Sequence, residues 1–217
     1  MVEQGMYILW MIWNNRNDCV HNLKCRNPST LGLLAVKLAE DFKEYNTVDS
    51  EAGQRNIEDW LPPPRRNYKL NVDASYDSAL RKTSFGAVLR DASSKVQIAA
   101  VSKVEDVDSP LQAELMAILF GLQVTSEQEF KEILVESDCL LAVQEILRRQ
   151  DSLCEWGSIL MDIQDRSLEF NQCSFRHSNR FANVLAHNLS KVYCEVGEHN
   201  IWRNSLPPSI CNHPVYY

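Results

Sequence analysis

The chain sets a carboxylate into each of three apolar segments, and no other feature constrains its fold so tightly. The segments are Lys69-Leu70-Asn71-Val72-Asp73-Ala74-Ser75, Gln112-Ala113-Glu114-Leu115 and Val135-Glu136-Ser137-Asp138. An ionised side chain on a buried strand or helix face is costly unless it is paired or bound to metal. Taken singly, Asp73 reads equally well as a strand-end residue facing water and Glu114 as a solvated helix charge. Asp138 reads equally well as the N-cap of the next helix. A fold that gathers all three must neutralise them, and a divalent cation does so.

The surrounding pattern supplies the elements. Tyr68–Ser75 alternates Leu70, Val72 and Ala74 on one face and predicts a strand; Ser84–Asp91 and Val96–Val104 predict two more. Asp91-Ala92-Ser93-Ser94 between the latter two is a hairpin turn without the favoured Asn-Gly pair. Pro110–Val124 carries Leu111, Leu115, Ile118, Leu119 and Leu122 at helical spacing, with Ser109 as its cap. Ile133-Leu134-Val135 is a short strand, and a helix follows from Asp138. A helix over Leu153–Leu168, a strand over Cys173–Phe175 and a helix over Asn183–Val192 complete the set. This order, βββαβααβα, predicts an α/β domain with a mixed sheet.

Upstream, residues 1–45 read as a helical hairpin. Met6 to Trp13 is aromatic-rich, and Asn27, Pro28, Leu31, Leu34, Leu38 and Phe42 mark a capped helix. Residues 46–66 read as a linker ending in the extended run Pro62-Pro63-Pro64. The expected organisation is therefore a helical segment 1–45, a linker 46–66, an α/β domain 67–197 and a tail 198–217.

Charge and cysteine usage narrow the function classes. A net charge of −7 argues against a protein that coats nucleic acid generically, and leaves room for a local site that acts on it. The seven cysteines form no C-x-x-C pair, so neither a zinc site nor a redox pair is signalled. They read as reduced thiols of a nuclear or cytoplasmic protein that is not secreted. Met6–Trp13 is too short to span a bilayer, which takes about 20 residues, so no membrane partner is expected.

From about Asn67 to Val196 the chain resembles type-1 ribonuclease H, in particular the ribonuclease H-like domains related to plant retrotransposon (LINE-like) reverse transcriptases. The strings that carry the resemblance are Leu70–Ser75, Gly86-Ala87-Val88-Leu89-Arg90-Asp91, Ala113–Ile118 and Glu136-Ser137-Asp138. A last one is Arg180-Phe181-Ala182-Asn183-Val184-Leu185-Ala186-His187-Asn188-Leu189, like the family's R-x-x-N-x-x-A-(D or H)-x-L ending. Trp10-x-x-Trp13-x-x-Arg16-Asn17 is similar to sequence upstream of such domains.

The resemblance implies a five-stranded mixed sheet flanked by helices. It also implies two-metal hydrolysis of the RNA strand of an RNA–DNA hybrid, with Mg²⁺ or Mn²⁺ ions about 4 Å apart. Asp73, Glu114 and Asp138 then fall at metal ligands. His187 falls where the family has a fourth carboxylate, a change that suits Mn²⁺ better than Mg²⁺. His177 matches a mobile loop histidine associated with proton transfer or product release. Two departures concern substrate grip: Arg148–Glu155 is too short and too acidic for the basic handle some relatives carry, and Ser94 replaces a turn glycine. A second class stays open, a retroelement-derived module with little activity that binds nucleic acid or, through residues 1–45, a protein partner. The oligomeric state is open as well.

Overall fold

The computed structural model describes residues 60–127, 130–148 and 156–211. The helical hairpin expected over 1–45, most of the linker, and residues 149–155 of the segment read as too short and acidic for a basic handle lie outside the described residues.

The sheet begins with an antiparallel meander of β1 (Tyr68–Asp77), β2 (Lys82–Arg90) and β3 (Val96–Glu105). The turn between β2 and β3 is closed by Asp91, whose carboxylate accepts the backbone N–H groups of Ser93 (2.7 Å) and Lys95 (3.0 Å). This local bond substitutes for the missing Asn-Gly signal. Ser94, where a glycine was expected, has φ +63°, the left-handed region that glycine adopts without penalty.

Helix α1 (Pro110–Ser126) follows, opened by Ser109, whose hydroxyl accepts the Gln112 N–H at 3.2 Å. The chain then returns through β4 (Glu132–Ser137), α2 (Leu140–Arg148), α3 (Gly157–Ser167), β5 (Gln172–His177), α4 (Val184–Leu189), β6 (His199–Arg203) and α5 (Pro208–Cys211). The strand order is β5-β4-β1-β2-β3-β6, with β1, β4 and β5 parallel and the remaining pairs antiparallel. A five-stranded sheet was expected. The sixth strand is His199–Arg203, which pairs with β3 beyond the expected domain end at 197.

Central strand β1 is buried on both faces from Lys69 to Asp73. On one face Leu70 and Val72 meet α1 so closely that a Cβ on Gly121 would lie 2.6 Å from Val72 Cγ1. Leu115, Ile118 and Leu122 of α1, with Leu160 and Ile163 of α3, complete this core. On the other face Leu185, Ala186 and Leu189 of α4 pack against Val88, Ala99 and Val101.

That second face is polar along β1, carrying Lys69, Asn71 and Asp73. Glu136 of β4 stands beside Asn71 in register and accepts its amide at 3.1 Å. It also takes Lys69 Nζ at 3.0 Å and the guanidinium of Arg176. Asn71 Oδ1 in turn accepts from Arg90 and from the indole of Trp60, both at 2.9 Å. The Trp60 ring stacks 3.5 Å from the Arg90 guanidinium carbon, and Lys69 donates to the Leu61 carbonyl at 2.6 Å. The end of the expected linker is thus fastened to the sheet. Burial lowers the Lys69 pKa, and the neighbouring Glu136 carboxylate opposes that shift.

Candidate metal centre

The site forms where two parallel strands part. Pairing of β1 with β4 ends at Val72 and Ser137, so Asp73 and Asp138 follow side by side at the carboxyl end of that ladder. In open α/β sheets this is where ligands bind. Glu114 arrives from the first turns of α1, which crosses β1 on the Leu70/Val72 face. One ligand oxygen from each of Asp73, Glu114 and Asp138 lies within 4.8 Å of the others.

Burial and mutual repulsion set the charge state of this group. The Glu114 pKa is pushed up to about 9, first by desolvation and then by the charges of Asp73 and Asp138. An accepted bond from the Ala74 backbone opposes the rise only in part. Glu114 Oε2 is buried and has no hydrogen-bond partner. Desolvation also raises Asp73, with the Ser190 hydrogen bond as the largest opposing effect. Three hard oxygen donors, one of them from a carboxylate with an unsatisfied buried oxygen, suit a hard divalent cation, which would compensate the three charges at once.

His187 is in α4 and turns its Nδ1 to Asp73 Oδ2 at 3.2 Å. With that nitrogen engaged, Nε2 is the one left for other partners. His177 was expected in a loop; it is instead the last residue of β5, opposite Ser137 in the parallel register. It hydrogen-bonds to the Asp138 backbone, and burial lowers its pKa.

Three further residues shape the site without having been singled out as ligands. Asn183, fully buried, donates its amide to the Val72 carbonyl at 2.8 Å and to Asp138 Oδ1 at 3.2 Å, spanning the gap where β1 and β4 separate. Its signal in the sequence was its place in the Arg180–Leu189 string. Ser190 donates to Asp73 Oδ2 at 2.7 Å. Gly86 pairs with Asp73 across the β1–β2 ladder and lies beneath α4. Among the described residues the cysteines are free, and burial holds the thiols of Cys139 and Cys173 at about 11 and about 12. No described helix is long and apolar enough to cross a membrane.

Residues 71–193 match the family model described as reverse transcriptase-like. The chain belongs to that family, and its α/β domain is ribonuclease H-like. Among solved structures it is similar to ribonuclease H1 of the halophilic archaeon Halobacterium salinarum, at 17% identity and a TM-score of 0.53, over 57% of this chain and 94% of that one. It is also similar to the N-terminal ribonuclease H domain of a Mycobacterium tuberculosis protein fused to maltose-binding protein. That likeness has 19% identity and a TM-score of 0.51, over 57% and 90% of the two chains. No curated protein sequence matches the chain.

Proposed function

We propose that this protein is a divalent-metal-dependent endonuclease that cuts the RNA strand of RNA–DNA hybrids. The observation that carries the proposal is the convergence of Asp73, Glu114 and Asp138, one ligand oxygen of each within 4.8 Å of the others, together with a buried Glu114 oxygen that has no hydrogen-bond partner. Membership of the reverse transcriptase-like family and the ribonuclease H-like fold support it.

In this reading Asp73, Glu114 and Asp138 hold Mg²⁺ or Mn²⁺, and His187 offers Nε2 while Nδ1 stays on Asp73. Bound metal supplies an acidified attacking water and charge stabilisation at the leaving oxygen. Asn183 keeps the Asp138 carboxylate turned to the site through its amide, anchored on the Val72 carbonyl. His177, held at the Asp138 backbone with a lowered pKa, is a neutral imidazole near neutral pH that can take up and release a proton at the ring. The products would carry 5′-phosphate and 3′-hydroxyl ends, and strand choice would rest on the 2′-hydroxyl. A nuclear or cytoplasmic location, ancestry in a plant retroelement, and a partner-binding role for residues 1–45 belong to the same proposal.

The test is cleavage of a strand-labelled RNA–DNA hybrid with Mg²⁺ and separately with Mn²⁺, comparing the native protein with Asp73→Asn. Metal-dependent cutting of the RNA strand that disappears in the variant is the expected result. A folded protein that binds the hybrid and never cuts it would move the assignment to a binding module.

A further inference from the structure

The geometry points to Ser190 as a positioning residue that aims the Asp73 carboxylate at the metal centre; this rests on the metal-site reading above. Ser190 is almost fully buried, and its hydroxyl donates to Asp73 Oδ2 at 2.7 Å. His187 Nδ1 reaches the same oxygen at 3.2 Å. Both side-chain contacts to the Asp73 carboxylate therefore fall on Oδ2, and no described residue donates to Oδ1. A carboxylate held by one oxygen has its rotation about the Cβ–Cγ bond fixed, with the other oxygen left for a cation.

The hydroxyl has a competing acceptor, the His187 carbonyl at 2.9 Å. Donation to the carboxylate is the shorter choice, and the charge-assisted one when Asp73 is ionised. Ser190 itself is firmly placed. It is the C-cap of α4, its backbone N–H donates to Ala186 at 2.9 Å, and that nitrogen would lie 2.4 Å from a Cβ on Gly86. The hydroxyl is therefore presented by backbone in direct contact with the strand opposite Asp73, where a flexible side chain would give no such aim. Partners of this kind, which orient a ligand without touching the ion, change metal affinity by roughly 10–100-fold.

The experiment is a Mn²⁺ titration of the full chain followed by electron paramagnetic resonance, on the native protein, Ser190→Ala, Ser190→Thr and Asp73→Asn. Thermal denaturation of each without metal reports the fold. Ser190→Ala is expected to weaken Mn²⁺ binding about tenfold or more. Ser190→Thr, which keeps the hydroxyl, is expected to restore most of it. If the alanine variant does not fold, Ser190→Cys retains the volume with a weak donor and is expected to show the same loss. Native-like Mn²⁺ affinity in a folded Ser190→Ala or Ser190→Cys protein, with only the metal-free melting temperature changed, would overturn the positioning role and leave the metal site standing. Absence of Mn²⁺ binding to the native protein would overturn the metal-site reading and this inference with it.

Discussion

Gly86 lies opposite Asp73 in the β1–β2 ladder, and its missing side chain lets α4 close over the site. A Cβ there would come 2.3 Å from the Ala186 carbonyl and 2.4 Å from the Ser190 nitrogen, both backbone atoms of α4 or its cap. Helix α4 also carries His187 to Asp73. The position of a residue with no functional group thus fixes two of the contacts that the Asp73 carboxylate makes.

Gly86→Ala should therefore destabilise by about 3 kcal/mol, because the neighbours it meets are backbone and cannot rotate away. Gly121→Ala meets the Val72 side chain instead, and should cost less, about 1–2 kcal/mol. Urea denaturation of the two variants gives the comparison. The Gly86 variant should also lose metal affinity, since His187 and Ser190 retreat together.

Glu114 makes the metal-free protein sensitive to pH. Its pKa is 4.5 in the unfolded chain and about 9 in the fold, so the native state binds the extra proton between these values. Stability from this group is complete below about 4.5 and declines as pH rises through about 9. Divalent metal should remove that decline by replacing the proton, and binding should release protons in buffer-dependent calorimetry. Glu114→Gln should flatten the metal-free profile and weaken metal binding by more than about tenfold.

Glu136 sits in the buried network on the second face, facing Lys69 and Arg176 and accepting from Asn71. Glu136→Gln leaves Lys69 buried without its counter-charge and should destabilise by about 3–5 kcal/mol. Replacing the pair together, Lys69→Met with Glu136→Gln, should recover much of that loss. A double-mutant cycle by chemical denaturation measures the coupling.

The sequence exposed the parts of this fold that repeat. Alternation at Leu70, Val72 and Ala74 and the helical spacing from Leu111 to Leu122 located β1 and α1, because burying one face imposes a period. That alternation says nothing of what the intervening Lys69 and Asn71 face, and only the cross-strand register shows them meeting Glu136, Arg90 and Trp60. Trp60 and Leu61 adjoin the Pro62-Pro63-Pro64 run that reads as linker, and their bonds to Asn71 and Lys69 leave no mark in the sequence pattern. Strand β6 was missed because His199–Arg203 is a short edge strand with little burial and no strong alternation. Helix α4 ends at Leu189, short of the expected Val192, with Ser190 capping it.

At the site, Asp73, Glu114 and Asp138 were legible as carboxylates in apolar surroundings. The roles of Gly86, Asn183 and Ser190 were not, since each depends on a contact across the fold. His187 was legible as the replacement of an expected acid, but its attachment to Asp73 through Nδ1 was not.

The most direct test of the metal centre is a crystal of the full chain grown with Mn²⁺, with anomalous diffraction measured at the manganese edge. A peak bounded by the carboxylates of Asp73, Glu114 and Asp138, and lost in Asp73→Asn, is the predicted result. An ordered, Mn²⁺-saturated crystal with those side chains in place and no peak among them would contradict the account.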